Sequence, residues 1–161
     1  MKKILILAAA IVAGVAANAA SFKWTGANIY GSDGTTKYTG DISIYAYSSK
    51  GTVADAVEVT TFSITSGALN KTFDWSSATV GETYNFYIVF EDNGKRFDSS
   101  ASTPTVIKSG VAYDSQTATV LFSNMATSTQ ASGSWSAVPE PTSGLLLLLG
   151  VAGLALKRKR A

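Results

Sequence analysis

The chain reads as an all-β protein, a single antiparallel β-sandwich of immunoglobulin-like or jelly-roll type, and three observations carry that reading. Between its two ends, short runs of alternating apolar side chains are separated by Gly, Asn, Asp and Ser at roughly 8–12-residue spacing. No segment there sustains an apolar period of 3.6 residues. About seven to nine strands of this size, in about 120 residues, fill two packed sheets. A small closed barrel is the second architecture compatible with the same pattern.

The strands follow in order. Phe22-Lys23-Trp24 opens the first, and Ile29-Tyr30 continues it or begins another. Ser32-Asp33-Gly34 is a turn. Asp41 to Ser48 is a strand with Ile42, Ile44 and Ala46 on one face and Tyr45 and Tyr47 on the other, broken by Ser49-Lys50-Gly51. In Val57 to Ile64, Val57 and Val59 share a parity that Phe62 and Ile64 do not, which predicts a bulge near Thr60-Thr61. Lys71 to Trp75 is a short strand. The clearest strand is Thr83 to Glu91, with Tyr84, Phe86, Ile88 and Phe90 facing one way and Asn85, Tyr87, Val89 and Glu91 the other. Asn93-Gly94 accepts positive φ at both turn positions, so Thr83–Glu91 and Lys95–Ser99 should form a tight hairpin. Thr105 to Lys108 and Thr117 to Asn124 are further strands, the second with Val120 and Phe122 on one face. The domain is expected to span residues 20–124. The Ser/Thr/Ala-rich stretch 125–137 reads as a tether, with Ser134-Trp135-Ser136 either a last strand or the tether's start.

Both ends carry addresses. Met1-Lys2-Lys3 is a charged n-region, Ile4 to Val15 an apolar h-region, and Ala17-Asn18-Ala19 a small-x-small cleavage pattern. Residues 1–19 are therefore expected to be a signal peptide, engaging the Sec translocon and cut by signal peptidase after Ala19. At the other end, residues 138–161 stand apart from the domain. Pro139 and Pro141 deny hydrogen-bond donors to any sheet. An apolar run over 144–156 follows, and Lys157, Arg158, Lys159 and Arg160 close it within the basic tail 157–161. As a helix the run spans about 20 Å, short against a hydrocarbon core of about 30 Å, yet insertable with snorkelling bases and local thinning. The basic block holds the tail's end cytoplasmic and leaves the domain outside.

Val138-Pro139-Glu140-Pro141-Thr142, the leucine-rich helix and the Lys/Arg cluster together resemble the PEP-CTERM sorting domain, which ends exported proteins of Gram-negative-type bacteria. The resemblance is confined to 138–161. It implies that an exosortase, a membrane-embedded cysteine protease-transpeptidase, recognises Val138 to Thr142 and removes the tail. It also implies transient anchoring in the inner membrane, then residence at the cell surface or in an extracellular polysaccharide or biofilm matrix.

The chemistry inside the domain is sparse. The sequence has no Cys and no His, so no Ser-His-Asp triad, thiol nucleophile, disulfide or zinc site of the usual kind can be built. Between residues 20 and 137 seven bases (Lys23, Lys37, Lys50, Lys71, Lys95, Arg96, Lys108) face ten acids (Asp33, Asp41, Asp55, Glu58, Asp74, Glu82, Glu91, Asp92, Asp98, Asp114), a net of −3 against +2 for the whole chain. The scattered bases form no stripe for nucleic acid. Glu58, Glu82 and Glu91 are the acids a glycosidase pair would need, and they read as solvated surface charges. Asp92, Asn93 and Asp98, or Asp33, are the calcium candidates, and they read as turn residues. No catalytic, cofactor or metal residue is assigned, and the chain is expected not to be an enzyme. Tyr45, Tyr47 and Tyr87 lie opposite the core faces, and Trp24, Trp75 and Trp135 lie near strand ends. Such rings either pack across strands or stack on sugars. The expected role is structural or adhesive, with a carbohydrate-binding module as the alternative and extracellular polysaccharide as its partner, and a periplasmic membrane-anchored protein or enzyme as the remote one.

Overall fold

The computed structural model describes residues 19–127 and 134–138. Its strands are β1 (Ala20–Gly26), β2 (Gly40–Ser48), β3 (Val57–Ile64), β4 (Leu69–Trp75), β5 (Thr83–Asp92), β6 (Lys95–Asp98), β7 (Lys108–Val111), β8 (Thr117–Leu121) and β9 (Trp135–Ala137), with one 3₁₀ turn at Val53–Asp55. They form two packed sheets, ordered β4-β1-β8 and β3-β2-β5-β6-β9, with β7 also on β5. The chain is therefore an all-β sandwich. The signal peptide expected over 1–19, save Ala19, and the apolar helix expected over 144–156 lie outside the described residues.

Alternation places the core as the side-chain parity requires. Ile42, Ile44 and Ala46 of β2 and Tyr84, Phe86, Ile88 and Phe90 of β5 are buried against Phe22, Trp24, Ala118, Val120 and Phe122 from the other sheet. At the centre Phe86 meets Phe22 edge-on at 4.9 Å and Trp24 at 5.9 Å. The offset and edge-to-face geometries suit ring quadrupoles.

Several elements differ from the sequence expectation. The small sheet is mixed rather than antiparallel, because β8 runs parallel to β1 with Phe22 opposite Ala118 and Trp24 opposite Val120. Beyond Gly26 both strands break in step. Asn28 and Asn124 each take positive φ, their side chains hydrogen-bond at 3.1 Å, and Ile29 bridges Met125 in parallel. The bulge in β3 falls at Val59, since Ile44 pairs with Thr60 while Tyr45 pairs with Glu58. That extra residue puts Val59, Phe62 and Ile64 all toward the core.

The strand expected over 105–108 starts only at Lys108. Val89–Asp92 of β5 pair with β6 and Thr83–Phe86 pair with β7, so the two short strands lie end to end along one side of β5. The segment between them leaves the sheet, and Ser99 fills the gap. Ser99 Oγ accepts from Ile88 N–H at 3.0 Å and donates to the Val106 carbonyl at 2.9 Å. A side chain thus satisfies a buried backbone donor that the excursion would otherwise orphan.

Residues 125, 126 and 134–137 of the expected tether are part of the domain, so the boundary at residue 124 is too early. Met125 and Ala126 are fully buried, and Trp135–Ala137 forms β9 on β6. The reason is the two aromatic edges at Phe90 and Phe97, which Trp135 covers at 5.4 Å from each. Residues 128–133 lie outside the described residues.

Candidate functional site

The first candidate is the junction of domain and tail. β9 pairs antiparallel with β6, placing Phe97 opposite Trp135, Arg96 opposite Ser136 and Lys95 opposite Ala137. Val138 N–H then donates to the Gly94 carbonyl at 3.0 Å, at the tip of the β5–β6 hairpin where Asn93 and Gly94 both have positive φ. Ser134 secures the other end, its Oγ accepting from Thr103 N–H at 3.0 Å. The sorting motif is thus delivered from a paired edge strand, with Val138 still hydrogen-bonded to the domain. Pro139, Glu140, Pro141, Thr142 and the bases Lys157, Arg158, Lys159 and Arg160 lie outside the described residues. So does Ala17. Ala19 precedes β1 directly, and Ala20 is buried opposite Trp75, so a cut after Ala19 leaves the first strand whole. Among the described residues no helix is long and apolar enough to cross a membrane.

The second candidate is the outer face of the large sheet. Tyr45 and Tyr87 face each other across β2 and β5, their rings stacked at 5.2 Å and 14°. With Tyr47, Val89, Ala56 and Ile107 they make a small apolar cluster separate from the core. Packing leaves Tyr87 only 7% and Val89 only 5% exposed, while Tyr45 is half-buried. Tyr45 donates its hydroxyl to Glu58 Oε2 at 3.0 Å, Thr61 donates to Glu58 Oε1 at 2.9 Å, and Ser43 and Thr61 hydroxyls meet at 2.7 Å. Burial raises the Tyr45 hydroxyl above its ordinary range, and the Glu58 hydrogen bond and charge reinforce this. Burial does the same for Tyr87, with the Asp98 charge adding to it. Both rings keep their protons at neutral pH. The tryptophans are elsewhere: Trp24 and Trp75 sit in the core, and Trp135 packs at its edge.

The acids proposed for calcium do not converge. Asp92 follows the inward parity of Phe90 and accepts from Ser32 N–H at 2.6 Å. Asp98, on the outward parity of β6, accepts from Ser100 N–H at 2.9 Å and from its hydroxyl at 2.6 Å. They therefore point to opposite faces of the sheet. Asp33 caps its own turn, accepting from Thr36 Oγ1, Thr35 N–H and Thr36 N–H at 2.5, 2.9 and 2.8 Å. Chiefly through the Thr36 hydroxyl, its pKa falls from 3.8 to about 2. A lowered folded-state value means the turn gains stability above pH 3.8 and loses it as pH falls toward about 2. The Thr35 and Thr36 amide resonances should titrate with a midpoint near 2. A midpoint at the ordinary aspartate value would show that these hydrogen bonds do not hold the carboxylate. Among the described residues no three acids group as a metal site.

These features define a class: a disulfide-free β-sandwich whose last strand runs straight into a C-terminal sorting signal. The signal itself is identified, since the family model described as the PEP-CTERM protein-sorting motif matches residues 137–160. The tail of this chain carries that motif, which implies export and sorting through the membrane by an exosortase. No curated protein and no solved structure matches the chain.

Proposed function

We propose that this protein is a structural or adhesive component of the cell surface or extracellular matrix, anchored in the inner membrane only until exosortase removes its tail. The observation that carries the reading is the position of the motif, whose match begins at Ala137, the last residue of β9. Domain and signal abut, so a cut in or just after Val138–Thr142 releases the sandwich with its edge strand in place. Signal peptidase acting after Ala19 would free the other end equally cleanly. The surface acids support a role without catalysis. Glu58 is committed to Tyr45 and Thr61, while Glu82 sits just before β5 and 3.7 Å from Lys50. The scattered bases give nucleic acid no purchase.

Intact mass and C-terminal sequencing of the native protein from inner membrane, outer surface and medium test this reading. The expected result is a surface or released chain that starts at Ala20 and ends near Pro139–Thr142. A chain that keeps Lys157 to Ala161 and stays in the inner membrane would overturn it.

A further inference from the structure

We infer that the outer face of the large sheet carries a binding groove for a neutral polysaccharide. This deepens the reading above by naming a ligand, and rests on it for where that ligand is met. The groove, about 360 Å³, crosses β2, β5 and β6. Its floor is the cross-strand pair Ser43 and Val89, two small side chains. One wall is the Tyr45 ring, backed by Tyr87. Toward the other end lie Asp41 and Glu91, and Arg96, directly opposite Glu91 in the ladder, reaches back toward the Tyr45 hydroxyl. Asp41 and Tyr45 are four residues apart on one strand, about 13 Å along the backbone at about 3.3 Å per residue.

The chemistry selects the ligand. A pyranose offers an apolar C–H face to an aromatic ring and vicinal hydroxyls to paired donors and acceptors. Here Tyr45 supplies the ring, Arg96 the donor fork, and Asp41 and Glu91 the acceptors. The wall is preorganised, because Glu58 holds the Tyr45 hydroxyl and Tyr87 holds its face. At the far end Tyr38 Oη lies 3.0 Å from the Asp41 carbonyl and 3.1 Å from that of Glu91, bracing both strands. Charge excludes the competing polymers. Asp41, Glu58, Glu91 and Asp98 outnumber Arg96 on this face, which repels nucleic acid and uronic-acid chains alike. An added peptide strand is excluded too, since β2 and β5 are interior strands with partners on both sides.

The test is electrophoresis of the full chain, held in mild detergent, through non-denaturing gels containing a neutral glucan, mannan or galactan, or polygalacturonate. Retardation by at least one neutral polymer and none by polygalacturonate is expected. Tyr45→Ala and Arg96→Ala should each weaken it about tenfold, equivalent to about 1.4 kcal/mol. Tyr113→Ala, an exposed tyrosine away from the groove, should leave it nearly unchanged. Arg96 is exposed, so its variant reports on the groove even if Tyr45→Ala perturbs folding. Unchanged migration in every neutral gel, retardation by polygalacturonate alone, or retardation that survives Arg96→Ala would overturn the inference. None of these outcomes depends on whether the tail is cut, so the two readings can fail separately.

Discussion

Gly26→Ala is expected to destabilise the domain by about 3 kcal/mol or more, measured as a fall in denaturation midpoint at constant slope. A Cβ on Gly26 would stand 1.7 Å from the Phe122 carbonyl oxygen and 2.8 Å from its carbon. Both atoms are backbone, so no rotamer change relieves the overlap. The close approach comes from the parallel pairing of β1 with β8, where Phe122 N–H donates to the Thr25 carbonyl at 2.7 Å. Adding one methyl group must push β8 off β1, losing that hydrogen bond and uncovering Phe122. A midpoint within about 0.5 kcal/mol of the parent, the range of ordinary surface changes, would mean that the two strands are not packed this way.

Trp24→Ala should cost about 3–5 kcal/mol, the usual loss for a large ring removed from a core. Trp24 is fully buried and touches Phe22, Phe62, Phe73 and Phe86, with centroids 5.8–6.3 Å away. These residues come from both sheets, so the cavity would open at the centre of the sandwich and collapse poorly. Trp24→Phe should lose less than half as much. Its ring fills part of the space, and it removes an indole N–H that is buried with no hydrogen-bond partner, whose desolvation costs about 1–3 kcal/mol. Equal losses from the two variants would show that refilling the space recovers nothing, so that cavity volume does not govern the site. A loss below about 1 kcal/mol for Ala would place Trp24 outside the core.

The signals that proved legible were local ones. The alternation in β2 and β5 named the buried faces because side-chain parity is a property of an extended backbone, whatever its neighbours. Asn93-Gly94 named the hairpin because both residues tolerate positive φ. The parity break in β3 marked a bulge, displaced only from Thr60-Thr61 to Val59. The tail was legible for the same reason: Val138 to Thr142, the apolar run and the basic block form a linear signal whose order is its meaning.

What stayed hidden was long-range. Composition made residues 125–137 look like a tether, but small and hydroxylated residues also suit an edge strand when one Trp135 finds Phe90 and Phe97. Thr105 to Lys108 had strand-like residues, yet their ladder position depends on where β6 leaves β5 and on Ser99 covering Ile88. The groove was half visible. Tyr45 and Tyr87 were placed on the outer face by parity, but Arg96, Glu91 and Asp41 joined them only through the register of three strands.

By itself, then, the sequence determined the all-β class, the inward faces of β2 and β5, the Asn-Gly hairpin and the sorting tail, because each rests on residues within a few positions of one another. The tertiary structure alone decided the parallel β1–β8 pairing, the docking of β9 and the convergence of Tyr45 with Arg96. Those depend on which strands lie side by side, and strand pairing is set by burial summed over the whole core rather than by any one segment.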